Sequence, residues 1–197
     1  MKFLTGNLSH TPDVYSQELH ILREAERFRR LAVLAWGEDT IYPKSEFRKG
    51  SSEGQCGVTN FGFGLWLAWM GVASPDQMFF EEGKIVAADG SPVGDDHTWL
   101  RIDGVDDGYA HPDLSMRFDL AGDQFSTIDV PEVVQYDDYF YPDSHRPSGN
   151  RVYVHAATTH LSDYNINRFA GRLERFMRNV YAVAGLGMPP QDLTRAV

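Results

Sequence analysis

The 197-residue chain contains a single cysteine. No disulfide can therefore form within it, which is typical of a protein from a reducing compartment. The chain also lacks any apolar run close to the roughly 20 residues that a transmembrane helix needs. Its first residues show no long apolar run of the signal-peptide type. We therefore expect a cytoplasmic protein without a membrane partner.

Basic residues are also scarce. The 18 Lys and Arg residues face 28 Asp and Glu residues, which gives a formal net charge of −10. A nucleic-acid-binding protein needs a basic patch to meet the phosphates, so nucleic acid is not expected as the main partner. A hydrophobic content of 42% is typical of a globular protein. We expect one domain over residues 1–188 and a flexible tail over residues 189–197.

Hydrophobic spacing predicts both helices and strands. The helices are expected from Thr11 or Asp13 to about Trp36, from Cys56 to about Gly71, and from Ser162 or Asp163 to about Ala184. The strands are expected at 79–80, 84–87, 97–102, 115–120 and 151–155. This arrangement predicts an α+β fold.

The position of the only cysteine favours chemical reactivity. Cys56 begins a predicted helix, where the partial positive charge and free N–H groups of the helix N-terminus favour a thiolate. Gln55 and the backbone N–H of Cys56 are candidate donors to an oxyanion, and Gly54 and Gly57 let the backbone approach a substrate. A lone cysteine is most often a small buried hydrophobe. In this context, however, Cys56 is a candidate nucleophile.

Two later residues complete a candidate triad with Cys56. His97 begins a predicted strand and is the candidate general base and acid, and Asp119 is the candidate residue that orients the imidazole. If Phe118 and Leu120 belong to the core, strand alternation turns Asp119 toward solvent or a cleft. If they do not, Asp119 is a buried charge that His97 can pair with.

The predicted chemistry is that of a cysteine-dependent hydrolase or acyl or amide transferase. Its substrate is a peptide, a protein or another amide or ester, and no cofactor or metal is required.

Three motifs resemble those of the YunG-like family, small uncharacterised bacterial and phage proteins with a papain/transglutaminase-like core. They are residues 55–59, 97–101 and 119–125, within about residues 50–126. The resemblance implies a Cys-His-Asp site on a helix packed against an antiparallel sheet, with Trp99 as a further candidate substrate-binding residue. Peptidase, amidase, transglutaminase, acyltransferase and deamidase activities remain alternatives. The chain departs from the family pattern at Thr98 and in an acidic, glycine-containing insertion over residues 103–113.

Two other sites are alternatives at this stage. Acidic and imidazole side chains that could bind a divalent cation lie at Asp95, Asp96, His97, Asp106, Asp107, His111 and Asp113, although their spacing matches no known metal-binding loop. His155 and His160 form a second histidine pair that could supply a different base.

The main alternative function is a non-catalytic protein-binding module on the same fold, such as a phage or bacterial interaction protein. The segment Val134–Tyr141 combines aromatic and acidic residues, a composition that suits a protein interface.

Overall fold

The computed structural model describes residues 16–46, 49, 54–87, 92–105, 114–121, 135–136, 151–169 and 171–187. Within them lie the helices α1 (Gln17–Ala35), α2 (Cys56–Trp69) and α3 (Arg172–Val183). The strands are β1 (Met78–Ala87), β2 (Pro92–Val105), β3 (Leu114–Phe118), β4 (Gln135–Tyr136) and β5 (Arg151–His160). They form one antiparallel sheet in the order β4-β3-β2-β1-β5. The predicted α+β class is confirmed.

Helix α2 runs through the hydrophobic core. All ten residues from Val58 to Leu67 are buried, so the helix is in contact with protein on every side. Gly62 provides a close approach to α3, because a Cβ there would lie 2.8 Å from the sulfur of Met177. Gly64 does the same toward the sheet, where a Cβ would lie 3.3 Å from Leu100 Cδ1. This packing fixes the helix that carries Cys56 against both layers.

The sheet has one apolar face and one polar face where β1, β2 and β3 pair. On the apolar face, buried side chains alternate along the strands and join the three helices in one core; they include Met78, Phe80, Leu100, Ile102, Met116 and Phe118. The polar face carries Glu81, which is 1% exposed and accepts hydrogen bonds from Trp99, Arg101 and Arg117. The period-2 alternation of strands separates the two sets.

Helix α1 begins later than the sequence suggests. Ser16 is the N-cap, with its hydroxyl accepting the backbone N–H of Leu19 at 3.4 Å. Thr11 and Asp13, the predicted caps, lie outside the described residues. Its buried residues are Ile21, Ala25, Phe28, Ala32 and Ala35, at spacings of three and four. Leu19, in the first turn, lies outside this set and is 44% exposed.

Three other predicted boundaries are wrong. The two runs expected at 79–80 and 84–87 form one strand, β1, because Glu81, Glu82 and Gly83 between them pair with β2 on one side and with β5 on the other. The last helix begins at Arg172; the chain before it forms two short 3-10 turns, Leu161–Asp163 and Ile166–Phe169, whose Leu161 and Phe169 side chains pack in the core. Strand β5 continues to His160 instead of ending at residue 155.

The described parts of the three helices and the sheet share one hydrophobic core. Residues 1–15 and the predicted tail, 189–197, lie outside the described residues. Among the helices that are described, none is both long and apolar enough to cross a membrane.

Candidate active site

Cys56 is the first residue of α2, as the sequence predicts. Its side chain is partly exposed, whereas the helix behind it is buried. The first N–H groups of an α-helix have no acceptor within the helix, so they point toward the space around the thiol. A partly exposed sulfur at a helix N-terminus is placed for both ionisation and contact with a substrate.

His97 and Asp119 form a buried hydrogen-bonded pair. The Nε2 atom of His97 lies 2.7 Å from Oδ2 of Asp119, and the two side chains are 0% and 5% exposed. Since Nε2 is engaged by Asp119, Nδ1 is the ring nitrogen left to face Cys56, and the thiol and the ring lie close enough for each to shift the pKa of the other. The structure thus brings together the three residues that the sequence singles out, in the order thiol, imidazole, carboxylate.

The position of Asp119 differs from the strand-alternation argument. Phe118 and Leu120 are both fully buried in the core, yet Asp119 is buried as well. Strand β3 ends at Phe118 and the chain turns at Leu120 and Ala121, so side chains no longer alternate between two faces here. Asp119 therefore points to His97 and not to solvent.

Asn60 links the helix of the nucleophile to the other two catalytic candidates, and the sequence argument missed it. Its Nδ2 donates to the backbone carbonyl of Thr98 at 2.7 Å and to Oδ1 of Asp119 at 3.4 Å. Its Oδ1 accepts the backbone N–H of Leu120 at 2.8 Å. Asn60 lies four residues after Cys56, hence on the same helix face, and a polar residue in an otherwise apolar helix was the available signal.

The charges of the site favour a thiolate and an imidazolium. Burial raises the pKa of Cys56, but the adjacent His97 ring, through hydrogen bonding and its charge, and the nearby Thr98 hydroxyl together bring it below the ordinary value of 9.0. Burial lowers the pKa of His97, but the charge and hydrogen bond of Asp119, with a smaller contribution from Cys56, raise it to about 10. These two directions favour the ion pair over the neutral pair more than in free cysteine and histidine side chains.

Thr98 is a second residue that the sequence argument did not assign to the site. Its hydroxyl is buried and has no hydrogen-bond partner of ordinary geometry among the described side chains and backbone. It nevertheless lies close enough to the sulfur to lower the pKa of Cys56. An unsatisfied hydroxyl beside a thiolate is available to donate to it.

Gln55, the predicted oxyanion donor, is bound to the loop behind the helix. Its Oε1 accepts from the Thr40 hydroxyl at 3.0 Å, and its Nε2 donates to the carbonyl of Gly37 at 3.4 Å. Its side chain is fully buried. One N–H of the Gln55 side-chain amide thus binds this loop, and only the second N–H could donate to an oxyanion.

The glycines on either side of Cys56 are explained by packing. Gly54 has φ of +68°, and a Cβ there would lie 2.6 Å from the Ser45 hydroxyl. A Cβ on Gly57 would lie 3.0 Å from Cε1 of Phe169. In both cases protein atoms fill the space that glycine leaves, so a substrate-binding role for these residues stays a prediction.

Trp99 is 2% exposed, and its indole N–H donates to Glu81 on the polar face of the sheet. Its ring centroid lies 6.3 Å from that of His97. It therefore packs beside the imidazole and presents little surface to a substrate. Its substrate-binding role stays a prediction.

The two alternative sites have different outcomes. In the described part of the chain, no group of three or more His, Cys, Asp or Glu side chains is placed to hold a metal ion. Residues 106–113 and the side chains of Asp95 and Asp96 lie outside the described residues. In the second histidine pair, His160 contacts Ser162 and the carbonyl of Asp76, and the His155 side chain is not described.

Comparison of the chain with family models, with curated proteins and with solved structures found no match. The resemblance to the YunG-like family and its papain/transglutaminase-like core therefore stays a prediction. The arrangement of Cys56, His97, Asp119 and Asn60 is the observation from which function can be argued.

Proposed function

We propose that this protein is a cysteine-dependent hydrolase or acyl transferase that cleaves an amide or ester, with Cys56 as nucleophile, His97 as general acid and base, and Asp119 as the residue that orients the ring. The observation that carries the proposal is the hydrogen bond of 2.7 Å between His97 and Asp119, combined with the lowered pKa of Cys56 beside the same ring. Such a chain of thiol, imidazole and carboxylate is the arrangement that activates a nucleophile.

The first half of the reaction forms an acyl-enzyme. The Cys56 thiolate attacks the carbonyl carbon of the substrate, and the carbonyl oxygen takes the negative charge of the tetrahedral intermediate. The backbone N–H of Cys56 stabilises that oxygen, with the second amide N–H of Gln55 as a further donor. His97 then gives its proton to the leaving amine or alcohol, and the bond to the leaving group breaks.

Acylation also prepares His97 to release its proton. The thiolate is one of the groups that raise the pKa of His97. When the sulfur bonds to the carbonyl carbon in the tetrahedral intermediate, it is no longer a thiolate, so that contribution disappears and the pKa of His97 falls. The proton thus leaves more readily at the step that requires it.

The second half of the reaction releases the acyl group. His97, now neutral, takes a proton from a water molecule or from an acceptor amine, which attacks the thioester carbonyl. The bond to sulfur breaks, and the proton on His97 restores the ion pair with the Cys56 thiolate. Water as the acceptor gives hydrolysis, and an amine gives acyl transfer.

The test uses the fact that Cys56 is the only cysteine, so that all alkylation by iodoacetamide reports on this residue. In the wild type we expect fast labelling that persists well below pH 9.0, the ordinary thiol value. In His97→Ala the rate should follow an ordinary thiol titration. His160→Ala is the matched control, because this histidine bonds to Ser162 and should leave the profile unchanged.

Activity is then tested with an activated ester such as p-nitrophenyl acetate. We expect a mass increase of one acetyl group on the wild type and none on Cys56→Ser.

Slow iodoacetamide labelling of the wild type with an ordinary thiol profile, identical in His97→Ala, would contradict the enzyme proposal. It would leave the protein-binding module as the better interpretation, to be tested by pull-down. Of its proposed interface, Val134–Tyr141, only the short strand β4 lies within the described residues.

A further inference from the structure

Arg172 differs from the other arginines near it in sequence. Arg168 pairs with Glu82, Arg175 with Asp39 and Arg178 with Glu174. Arg172 forms no ion pair within the described residues, although its side chain is only partly exposed and burial lowers its pKa. A guanidinium that is partly removed from water without a carboxylate partner loses hydration and gains no ion pair in exchange. This situation is typical of a residue that binds an anion from outside the protein.

Two aromatic rings hold the Arg172 guanidinium. Its central carbon lies 5.5 Å from the ring centre of Tyr42 and 6.0 Å from that of Phe169. Its Nε donates to the backbone carbonyl of Phe169 at 3.0 Å. These contacts use the ring faces and Nε. Among the described residues they leave the two terminal nitrogens available, and these can bind the two oxygens of a carboxylate.

The same two aromatic residues lie against the glycines that flank Cys56. The backbone N–H of Tyr42 donates to the carbonyl of Gly54 at 2.9 Å. The Phe169 ring lies 3.0 Å from the position of a Cβ on Gly57. Tyr42 and Phe169, which hold the Arg172 guanidinium, therefore contact the residues immediately around Cys56.

The electrostatic effect of the sulfur agrees with this placement. Burial lowers the pKa of Arg172, and the negative charge of the Cys56 thiolate raises it. The guanidinium thus lies within electrostatic reach of the reacting atom.

Arg172 also lines an open groove of about 720 Å³. The other charged residues that line this groove are Glu38, Asp39, Glu46 and Arg175, and Arg175 is already paired with Asp39. The acidic side chains repel a substrate with many negative charges. A substrate with one carboxylate can reach Arg172 while the rest of it stays neutral or basic.

We propose that Arg172 binds a carboxylate group of the substrate, so that the enzyme acts on acyl donors that carry a single carboxylate close to the carbonyl attacked by Cys56. The class includes peptides with an acidic side chain or a free C-terminal carboxylate beside the reacting bond. This inference rests on the proposed function of Cys56 as the nucleophile.

Two alkylating reagents test the inference without knowledge of the substrate. Iodoacetate carries a carboxylate, and iodoacetamide is its neutral counterpart. Both react with the same thiolate, so the ratio of their rates cancels any change in the thiolate fraction. We expect Arg172→Gln to lower the iodoacetate to iodoacetamide ratio by roughly three- to tenfold relative to wild type, the effect of one charge-assisted contact.

Arg178→Gln is the matched control. It removes an equal charge from the same helix, but at an exposed residue paired with Glu174. Its ratio should remain that of the wild type, and Arg172→Lys should give an intermediate ratio because it keeps the charge but not the planar fork.

The outcomes separate the two proposals. Fast iodoacetamide labelling with the same ratio in wild type and Arg172→Gln would overturn the carboxylate site and leave the proposed function intact. An equal fall in Arg178→Gln would also overturn it, since net charge alone would then explain the preference. Slow labelling of the wild type by both reagents, with an ordinary thiol profile, would overturn the proposed function and this inference with it.

Discussion

Asn60 accepts the backbone N–H of Leu120 at 2.8 Å and thereby joins the helix that begins with Cys56 to the chain segment that carries Asp119. The same side chain donates to the carbonyl of Thr98, next to His97. One buried amide thus connects the three elements of the site. The distances among the catalytic candidates depend on it, because each candidate comes from a different element.

The first prediction concerns this amide. Asn60→Ala leaves a buried N–H of Leu120 and a buried carbonyl of Thr98 without their partner, so we expect the free energy of unfolding to fall by about 2–4 kcal/mol. Urea unfolding measures this loss. Asn167→Ala is the control. This residue is exposed, and its hydrogen bond to the Asn165 side chain uses the backbone N–H, which alanine keeps, so stability should change by less than about 0.5 kcal/mol. Equal losses in the two variants would contradict the linking role.

The second prediction concerns the dependence of stability on pH. His97 has a folded-state pKa raised from 6.5 to about 10, so its contribution is fully present below pH 6.5 and is lost as the pH rises through about 10. Cys56 has a lowered pKa, so its contribution is present above 9.0 and is lost as the pH falls through the folded value. Below pH 9.0, and above both pH 6.5 and the folded pKa of Cys56, the two slopes cancel, because the native pair and the unfolded chain each bind one proton.

Unfolding in urea between pH 6 and 10.5 tests this balance. The pair should contribute a plateau to wild-type stability just below pH 9.0, followed by a decline toward pH 10. In Cys56→Ser only the His97 contribution remains, so relative to the wild type the decline should begin near pH 7. The difference between the two curves isolates the pair from other titrating groups. A constant difference from pH 6.5 to 9.0 would show that no such ion pair exists.

The third prediction separates backbone strain from close packing at glycine. Gly54 and Gly71 have almost the same φ, +68° and +66°. A Cβ at Gly71 meets nothing within 4 Å, whereas one at Gly54 would lie 2.6 Å from the Ser45 hydroxyl. Gly71→Ala should cost about 1 kcal/mol from strain alone. Gly54→Ala should cost at least about 2 kcal/mol and slow the alkylation of Cys56, because the loop before the nucleophile must move. Equal losses of stability in the two variants would mean that the loop at Ser45 moves aside without a measurable energetic cost.

The fourth prediction concerns the polar face of the sheet. Glu81 is buried and binds Trp99, Arg101 and Arg117, so Glu81→Ala leaves the buried indole N–H without its acceptor. We expect a loss of about 2–3 kcal/mol in urea unfolding, since the two partly exposed arginines can regain water. Glu174→Ala, at an exposed pair with Arg178, should cost less than about 0.5 kcal/mol. A loss at Glu81 as small as this would mean that water replaces its partners.

The iodoacetamide profile and the two-reagent ratio address function, whereas these four predictions address the structure that supports it. Variants of Asn60 and Gly54 test function and structure together. Loss of the contacts that hold the site should lower the stability of the protein and widen the range of positions that the thiol occupies. Measuring labelling rate and unfolding on the same protein samples would show whether the two losses occur together.

Local sequence determined much of this protein. The apolar period of α1, the start of α2 at Cys56 and the alternation in β2 each depend on neighbours a few residues apart, and each was predictable. The choice of Cys56, His97 and Asp119 was also possible, because the residue types and their order along the chain already match the chemistry of an activated thiol. The boundaries at Ser16, Met78 and Arg172 were not predictable, since side-chain packing and caps overrode the local patterns there.

Only the tertiary structure decided how the site is held together. Asp119 is buried because β3 stops one residue earlier and α2 supplies Asn60, a contact across 59 positions that no local pattern encodes. Thr98 and Arg172 acquire their significance in the same way, since neither lies near Cys56 in sequence. A pKa shift is the sum of burial, charge and hydrogen bonding from distant segments. The sequence alone therefore names the candidate reactive groups, and the packing of helix on sheet sets their charge and their geometry.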